Sequence, residues 1–198
     1  MNDRKEYFES FADDWDKNFT AEDLEFLTFL IDTFNLKEGN RVVDLGCGTG
    51  VLFDIIRRRV GDSGMVVGVD FSSRMAHKAL QNFPFRNCFA IDADVEQLPL
   101  QSGYFHLAVS FASFAHFAHP ERVIAEVARV LQPGAPFHII HLLGSRELAR
   151  HHHHAGGPVA HDVLPSADKM NEMFRSAGFD RIDIVDQHGL YHASGRKI

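Results

Sequence analysis

The residues best suited to chemistry in this chain are carboxylates beside glycines and a run of histidines. The stretch VVDLGCGTG (42–50) leads a short apolar run into three glycines, Gly46, Gly48 and Gly50, and places Asp44 where a buried strand should still be apolar. Glycines let backbone N–H groups approach a ligand, and a helix starting there adds the positive end of its dipole. That is the outline of a nucleotide-type site. The spacing is GxGxG, with Val51 where a dinucleotide fingerprint has its third glycine, which disfavours NAD. Asp44 disfavours it further, because a carboxylate repels a pyrophosphate. It suits a ligand with a cationic end.

The chain has 13 histidines, and seven of them, His138, His141, His151–His154 and His161, lie close together. Three readings stay open. They form a solvated loop with some packing. One or two of them reach a substrate as general base or orienting group, since neutral imidazole is a good base near pH 7. Or they hold a metal such as Zn, Ni, Co or Cu, with His151, His154 and His161 as the candidate ligands. If LARHHHH is helical, His151 and His154 share a face, while His152 and His153 turn away from it. GGPVAHDVLP then reads as a fixed turn that presents His161 or Asp162.

Strands and helices must position these groups. Tyr7, Phe8, Phe11 and Trp15 fall on one face of a helix over 3–16, and Leu24, Leu27, Phe29 and Ile31 on one over 21–34, with Thr20 as its N-cap. RVVDL (41–45), MVVGVD (65–70), CFAI (88–91), HLAVSF (106–111) and FHIIHL (137–142) read as strands. Helices are predicted at 51–60, 72–82 and 120–131. Short apolar strands separated by helices imply a parallel sheet covered on both faces. Residues 143–166 read as irregular, followed by a helix (167–177) and two strands (181–186 and 188–194) suited to an antiparallel edge. The fold class expected is therefore α/β, a Rossmann-like doubly wound, mostly parallel sheet with an antiparallel C-terminal edge strand.

At 198 residues one domain is expected. Two cysteines are too few for a disulfide framework. No apolar run approaches a membrane span, and the opening MNDRKEYFES lacks the apolar core of a secretory signal. A cytoplasmic protein is the expectation. Net charge is −7, and residues 1–25 carry nine Asp or Glu against three Lys or Arg, so −6 of it sits there. With no basic stripe, nucleic acid is not the expected partner.

VVDLGCGTG resembles the first motif of class I S-adenosylmethionine-dependent methyltransferases. The resemblance implies that the loop Gly46, Cys47, Gly48 and Gly50 packs against the methionine part of the cofactor, near Asp44. Asp70, which ends VVGVD, matches the carboxylate that takes both ribose hydroxyls, and Phe71 flanks the adenine. ADVEQLPL (93–100) resembles the third motif, with Asp94 matching the Asp that reads the adenine amino group and Val95 facing the ring. YFHLAVSFASFAHF (104–117) resembles the fourth, with Ser110 and Phe111 lining the methyl-transfer side. Two positions depart from the usual pattern, Ala93 in place of Gly and His106 in place of Asp. The stretch YFESFADDWDKNF resembles the family's N-terminal helix, a lid that turns Trp15 and Tyr7 inward; packing on the sheet edge is the plainer alternative.

The implied organisation is a lid (1–36), a cofactor core (37–142), an acceptor-side His-rich segment (143–166) and a closing helix with strands (167–198). His116, His141 and His154 are the acceptor-side candidates. SFAS at the fourth motif departs from the [DN]PPY type of amino-group methylases, and the few thiols depart from arsenite methylases. What remains is similar to the ubiquinone/menaquinone-biosynthesis type. The implied activity is methyl transfer to a small molecule by a monomer or homodimer, with S-adenosylhomocysteine as product and no metal expected. A binding module without turnover and a metal-handling protein are the alternatives.

Overall fold

Runs of β-branched residues set the central strands. The computed structural model describes residues 2–198. Contacts divide the chain into two units, Met1–Ala93 and Asp94–Ile198.

The first unit runs α1 (Asn2–Phe11), a 3-10 turn (Trp15–Asn18), α2 (Ala21–Asp32), β1 (Arg41–Leu45), α3 (Phe53–Val60), β2 (Met65–Asp70), α4 (Ser73–Asn82) and β3 (Cys88–Asp92). Its strands are parallel, with Arg41 opposite Met65 and Val66 opposite Cys88. The helix expected over 3–16 stops at Phe11, and Trp15 opens the separate turn. Asp13 and Asp14, weak helix formers, fill the break. Thr20 caps α2 as its sequence predicts: Asp23 N–H donates to Thr20 Oγ1, and Thr20 N–H donates back to Asp23 Oδ2. The buried face of α2 is Leu27, Leu30 and Ile31, whereas Leu24 and Phe29 are exposed. Phe29, two residues from Leu27, points to the opposite side of the helix.

The second unit runs β4 (Leu107–Phe111), a 3-10 turn (Phe114–His116), α5 (Pro120–Val130), β5 (Pro136–His141), α6 (Ser145–Ala155), α7 (Ala167–Ser176), β6 (Phe179–Gln187) and β7 (Leu190–Lys197). Within the first unit the strands lie in the order β3-β2-β1, and within the second in the order β4-β5-β7-β6. β4 pairs with β5 in parallel, and β7 is antiparallel to both β5 and β6. Every residue of β4 is buried, as expected of a strand covered on both faces.

The segment 143–166 is not irregular, because α6 occupies much of it. The C-terminal hairpin anchors this helix. Glu147 Oε2 accepts the N–H groups of Gly144 (2.9 Å) and Gly189 (2.7 Å), and Asp186 Oδ1 accepts that of Ser145. A Cβ on Gly144 would sit 2.4 Å from the Gln187 carbonyl oxygen, so only glycine lets the helix start so close to the strand end. Among the described residues no helix is long and apolar enough to cross a membrane.

Candidate functional site

In the first unit the glycine loop leaves β1 and folds back on β2. Gly46 and Cys47 donate their N–H groups to Val69 O at 2.8 and 3.2 Å. Gly48 has φ +51°, a left-handed value that side chains rarely adopt. Its N–H donates to Asp70 Oδ2 (2.9 Å), and Ser72 N–H donates to Asp70 Oδ1 (2.9 Å). A Cβ on Gly50 would come within 3.1 Å of Ala79 and 3.0 Å of Phe83, so α4 packs directly on this glycine.

Two buried carboxylates lie beneath the loop. Burial pushes Asp44 up to about 8, and the Asp70 charge adds to the rise. Burial also pushes Asp70 up to about 6, against the lowering effect of the two N–H donors. Cys47 is buried, and burial raises its thiol well above the ordinary range, which makes it inert packing.

The N-terminal segment lies against this loop. The Trp15 indole Nε1 stands 3.3 Å from where a Gly48 Cβ would be. Thr49 Oγ1 hydrogen-bonds Asp16, and Asn82 Nδ2 donates to Asp16 Oδ2 (3.1 Å) and to Thr49 O (3.3 Å). Phe8 packs edge-on against both Trp15 and Phe71, with ring centroids 5.8 and 5.9 Å apart. Asp13 pairs with Arg74 and Lys78 on α4. Tyr7 is half-buried and stacks edge-on to Phe8 and Phe11.

In the second unit Asp94 is exposed, and its Oδ1 accepts Glu96 N–H (2.9 Å), while Val95 is buried. Arg129 holds this stretch to α5 by donating to Leu98 O and Leu100 O, both at 2.8 Å. Ser110 Oγ lies 2.7 Å from Ser113 Oγ, and Phe111 is buried.

The histidines divide sharply. His116 Nδ1 donates to Asp162 Oδ2 at 2.6 Å, and His152 Nδ1 donates to the Asp162 carbonyl oxygen at 2.7 Å. The His116 and His152 rings are 4.7 Å apart. His141, at the end of β5, is buried; burial first, and then repulsion from a protonated His116 or His152, lower it to about 3. Its Nε2 and the hydroxyl of Tyr191, opposite it on β7, are buried without a hydrogen-bond partner among the described residues.

His154 stands apart from this cluster. It is exposed, and its Nδ1 donates to Arg150 O at 2.6 Å. His151 and His161 are exposed as well, and no three His, Cys, Asp or Glu among the described residues could hold a metal ion. The three candidate metal ligands are therefore not assembled. The inward residue of α6 is His152, one turn after buried Leu148. Its signal lay in that i, i+4 spacing. Asp162, rather than His161, is the residue the turn presents. His138 pairs with His192 in the sheet instead, Nδ1 to Nε2 at 3.0 Å.

The chemistry of the first unit fits a cofactor with one cationic end and vicinal hydroxyls. A cation near Asp44 would relieve the crowding of two buried acids. Each Asp70 oxygen accepts one N–H in the structure and retains capacity for a further donor.

Comparison with known proteins agrees. A family described as "Methyltransferase domain" matches residues 42–134. The chain is 32% identical over 146 residues to the demethylmenaquinone methyltransferase of Chlamydia pneumoniae, covering 71% of this chain and 61% of that one. It is 34% identical over 110 residues to the ubiquinone/menaquinone biosynthesis C-methyltransferase UbiE of Stutzerimonas stutzeri, covering 54% and 43%. The chain spans about half the length of the curated relatives it matches. A chain from the complex of the Haloferax volcanii Trm112 methyltransferase activator with a methyltransferase superposes with TM-score 0.79 at 22% identity, covering 96% of each chain. That likeness is one of fold.

Proposed function

We propose, from the match of residues 42–134 to the methyltransferase-domain family and the likeness to quinone methyltransferases, that the chain is a class I S-adenosylmethionine-dependent methyltransferase and transfers the methyl group of S-adenosylmethionine to a small molecule. The observation that carries this is the pair of buried acids under the glycine loop, with Asp70 bonded to Gly48 N–H and Asp44 pushed up by burial to about 8. When bound, the cofactor supplies an electrophilic methyl group on a sulfonium. Gly46, Gly48 and Gly50 let the loop backbone approach it, Asp70 takes its ribose hydroxyls, and Asp44 favours its ammonium. Trp15 and Phe71 cover the loop on the side of the N-terminal segment. Asp94, Val95, Ser110 and Phe111 serve the adenine and the methyl group.

Because the displacement is in line, orientation and exclusion of water supply much of the rate. The acceptor side is assigned to the second unit, with His116 and His141 nearest its chemistry. The 1–36, 37–142, 143–166 and 167–198 organisation remains our assignment of roles. The free thiols Cys47 and Cys88 support a reducing, cytoplasmic setting. The partner is a small acceptor rather than nucleic acid or a membrane, and the protein acts as a monomer or homodimer.

Calorimetric titration with S-adenosylhomocysteine tests the reading. Micromolar binding is expected, with at least about a 100-fold loss in Asp70→Ala, on the order of 3 kcal/mol for two hydrogen bonds to a charged group. Binding that Asp70→Ala leaves unchanged overturns it.

A further inference from the structure

Within the methyl-transfer reading, we propose that His116 is the general base for the acceptor, that Asp162 is its positioning residue, and that His141 and Tyr191 hold a second, uncharged polar group of the same acceptor. The acceptor class is then a neutral weak acid, X–H with X an oxygen, nitrogen or sulfur, that carries a further neutral polar group.

Three observations carry this. The first is the dyad. Asp162 lies 46 residues from His116 in the chain, yet its carboxylate reaches the imidazole at 2.6 Å. The two side chains are only 13% and 10% exposed. A carboxylate accepts only, so Nδ1 carries the proton and Nε2 is the nitrogen with the lone pair. That is the tautomer a base requires, and the carboxylate stabilises the imidazolium that forms.

The second is how Asp162 is held. Its carbonyl oxygen takes the Nδ1–H of His152, whose ring packs 4.7 Å from that of His116. Backbone and side chain of one residue are thus both engaged by imidazoles. The helix α6 that delivers His152 is fixed in turn by Glu147 and Asp186.

The third is the unmet demand beside the dyad. His141 and Tyr191 pair directly across β5 and β7, so both side chains lie on one face of the sheet. Their rings are 6.4 Å apart, they are 2% and 1% exposed, and His141 Nε2 and Tyr191 Oη have no hydrogen-bond partner among the described residues. Packing alone would not keep two such atoms, since a buried polar atom left without its hydrogen bond is destabilising. Burial keeps His141 neutral and raises Tyr191, which stays a neutral hydroxyl. An uncharged hydroxyl or carbonyl complements them.

The step balances as follows. The X lone pair forms the X–CH3 bond while the carbon–sulfur bond breaks and its electron pair stays on sulfur. The X–H proton passes to His116 Nε2, and the imidazolium, paired with Asp162, later gives it to water.

Catechol, which carries an acidic hydroxyl and a second neutral one, is the probe. With methyl-labelled cofactor, the wild type should form the mono-O-methyl product. His116→Gln should lower kcat by about 100-fold or more. Asp162→Asn should do so less, with partial recovery in Asp162→Glu, and Tyr191→Phe should raise KM about tenfold at similar kcat. S-adenosylhomocysteine affinity should be unchanged in all four variants, which also shows that they are folded. Independently of turnover, 15N-imidazole spectra should show His116 with its proton on Nδ1, and on Nε2 in Asp162→Asn. An Nε2–H form in the wild type, or turnover unaffected by His116→Gln, overturns the base. Cofactor binding without catechol turnover overturns the acceptor class. Failure of the wild type to bind S-adenosylhomocysteine defeats the methyl-transfer reading instead, while the imidazole spectra still decide the dyad.

Discussion

The first unit buries acids and the second buries bases. Asp44 and Asp70 are held up at about 8 and 6, whereas His138 and His141 are held down at about 3. Burial is the leading cause in all four, and it acts the same way each time, by penalising the charged form. The outcome differs in kind. A protonated acid gives up its proton when a cation binds, whereas an imidazole held this low stays neutral and offers one donor and one acceptor. One unit is therefore set to respond to a positively charged ligand, the other to an uncharged polar one.

The largest expected effect tests the acid side. At pH 7 Asp44 holds a proton that a bound ammonium would displace, so cofactor binding should release a proton. Calorimetry in two buffers of different ionisation enthalpy measures it. In Asp44→Asn the release should vanish and affinity should fall about 30-fold, roughly 2 kcal/mol. Unchanged proton release in that variant would break the contrast between the units.

The next effect is on stability, where the two regions have opposite signs. Between pH 6.5 and about 3 the unfolded chain binds a proton at His138 and the folded chain does not, so this stability is present above 6.5 and lost on acidification. Asp44 works the other way. Between pH 3.8 and about 8 the folded chain holds the proton, so stability is lost as pH rises. Replacing the His138–His192 pair with two leucines should make the protein about 2 kcal/mol less sensitive to a fall from pH 6.5 to 5. Asp44→Asn should flatten the alkaline side. Urea titrations at stepped pH would show both, and a single common slope change would undo the distinction.

The smallest effect concerns the backbone. The first unit's ligand loop puts its positive φ values on Gly46, Gly48 and Gly50, whereas the second puts one on Ala112 (φ 52°), directly after β4. Ala112→Gly should relieve that strain and stabilise by about 0.5–1 kcal/mol in the same titrations. A loss of stability would mean that the alanine methyl packs usefully.

The first unit was the more legible in sequence. Its strands 41–45 and 65–70 fall where the β-branched runs do, and the glycine loop is local, so its partners Val69 and Asp70 lie on the very next strand. The second unit hides its chemistry in distance. Nothing near Asp162 announces a pairing with His116. Four consecutive histidines mask the helix, because they show no apolar periodicity. Its real signals were Glu147 at the N-terminus, Gly156 after the last turn, and Leu148 with His152 on one face. The closing strands run Phe179–Gln187 and Leu190–Lys197 rather than the 181–186 and 188–194 that the pattern predicts, because their ends carry polar residues and residues 188–189 form the turn.

Trp15 is the chain's one tryptophan, and it rests on Gly48 at the head of the cofactor loop. All indole emission from this protein therefore originates at a single place, against the loop we propose to bind the cofactor, where a ligand would displace or cover that ring. The fold carries its own optical label, needing no dye and no engineered residue to follow arrival and departure at the loop in real time.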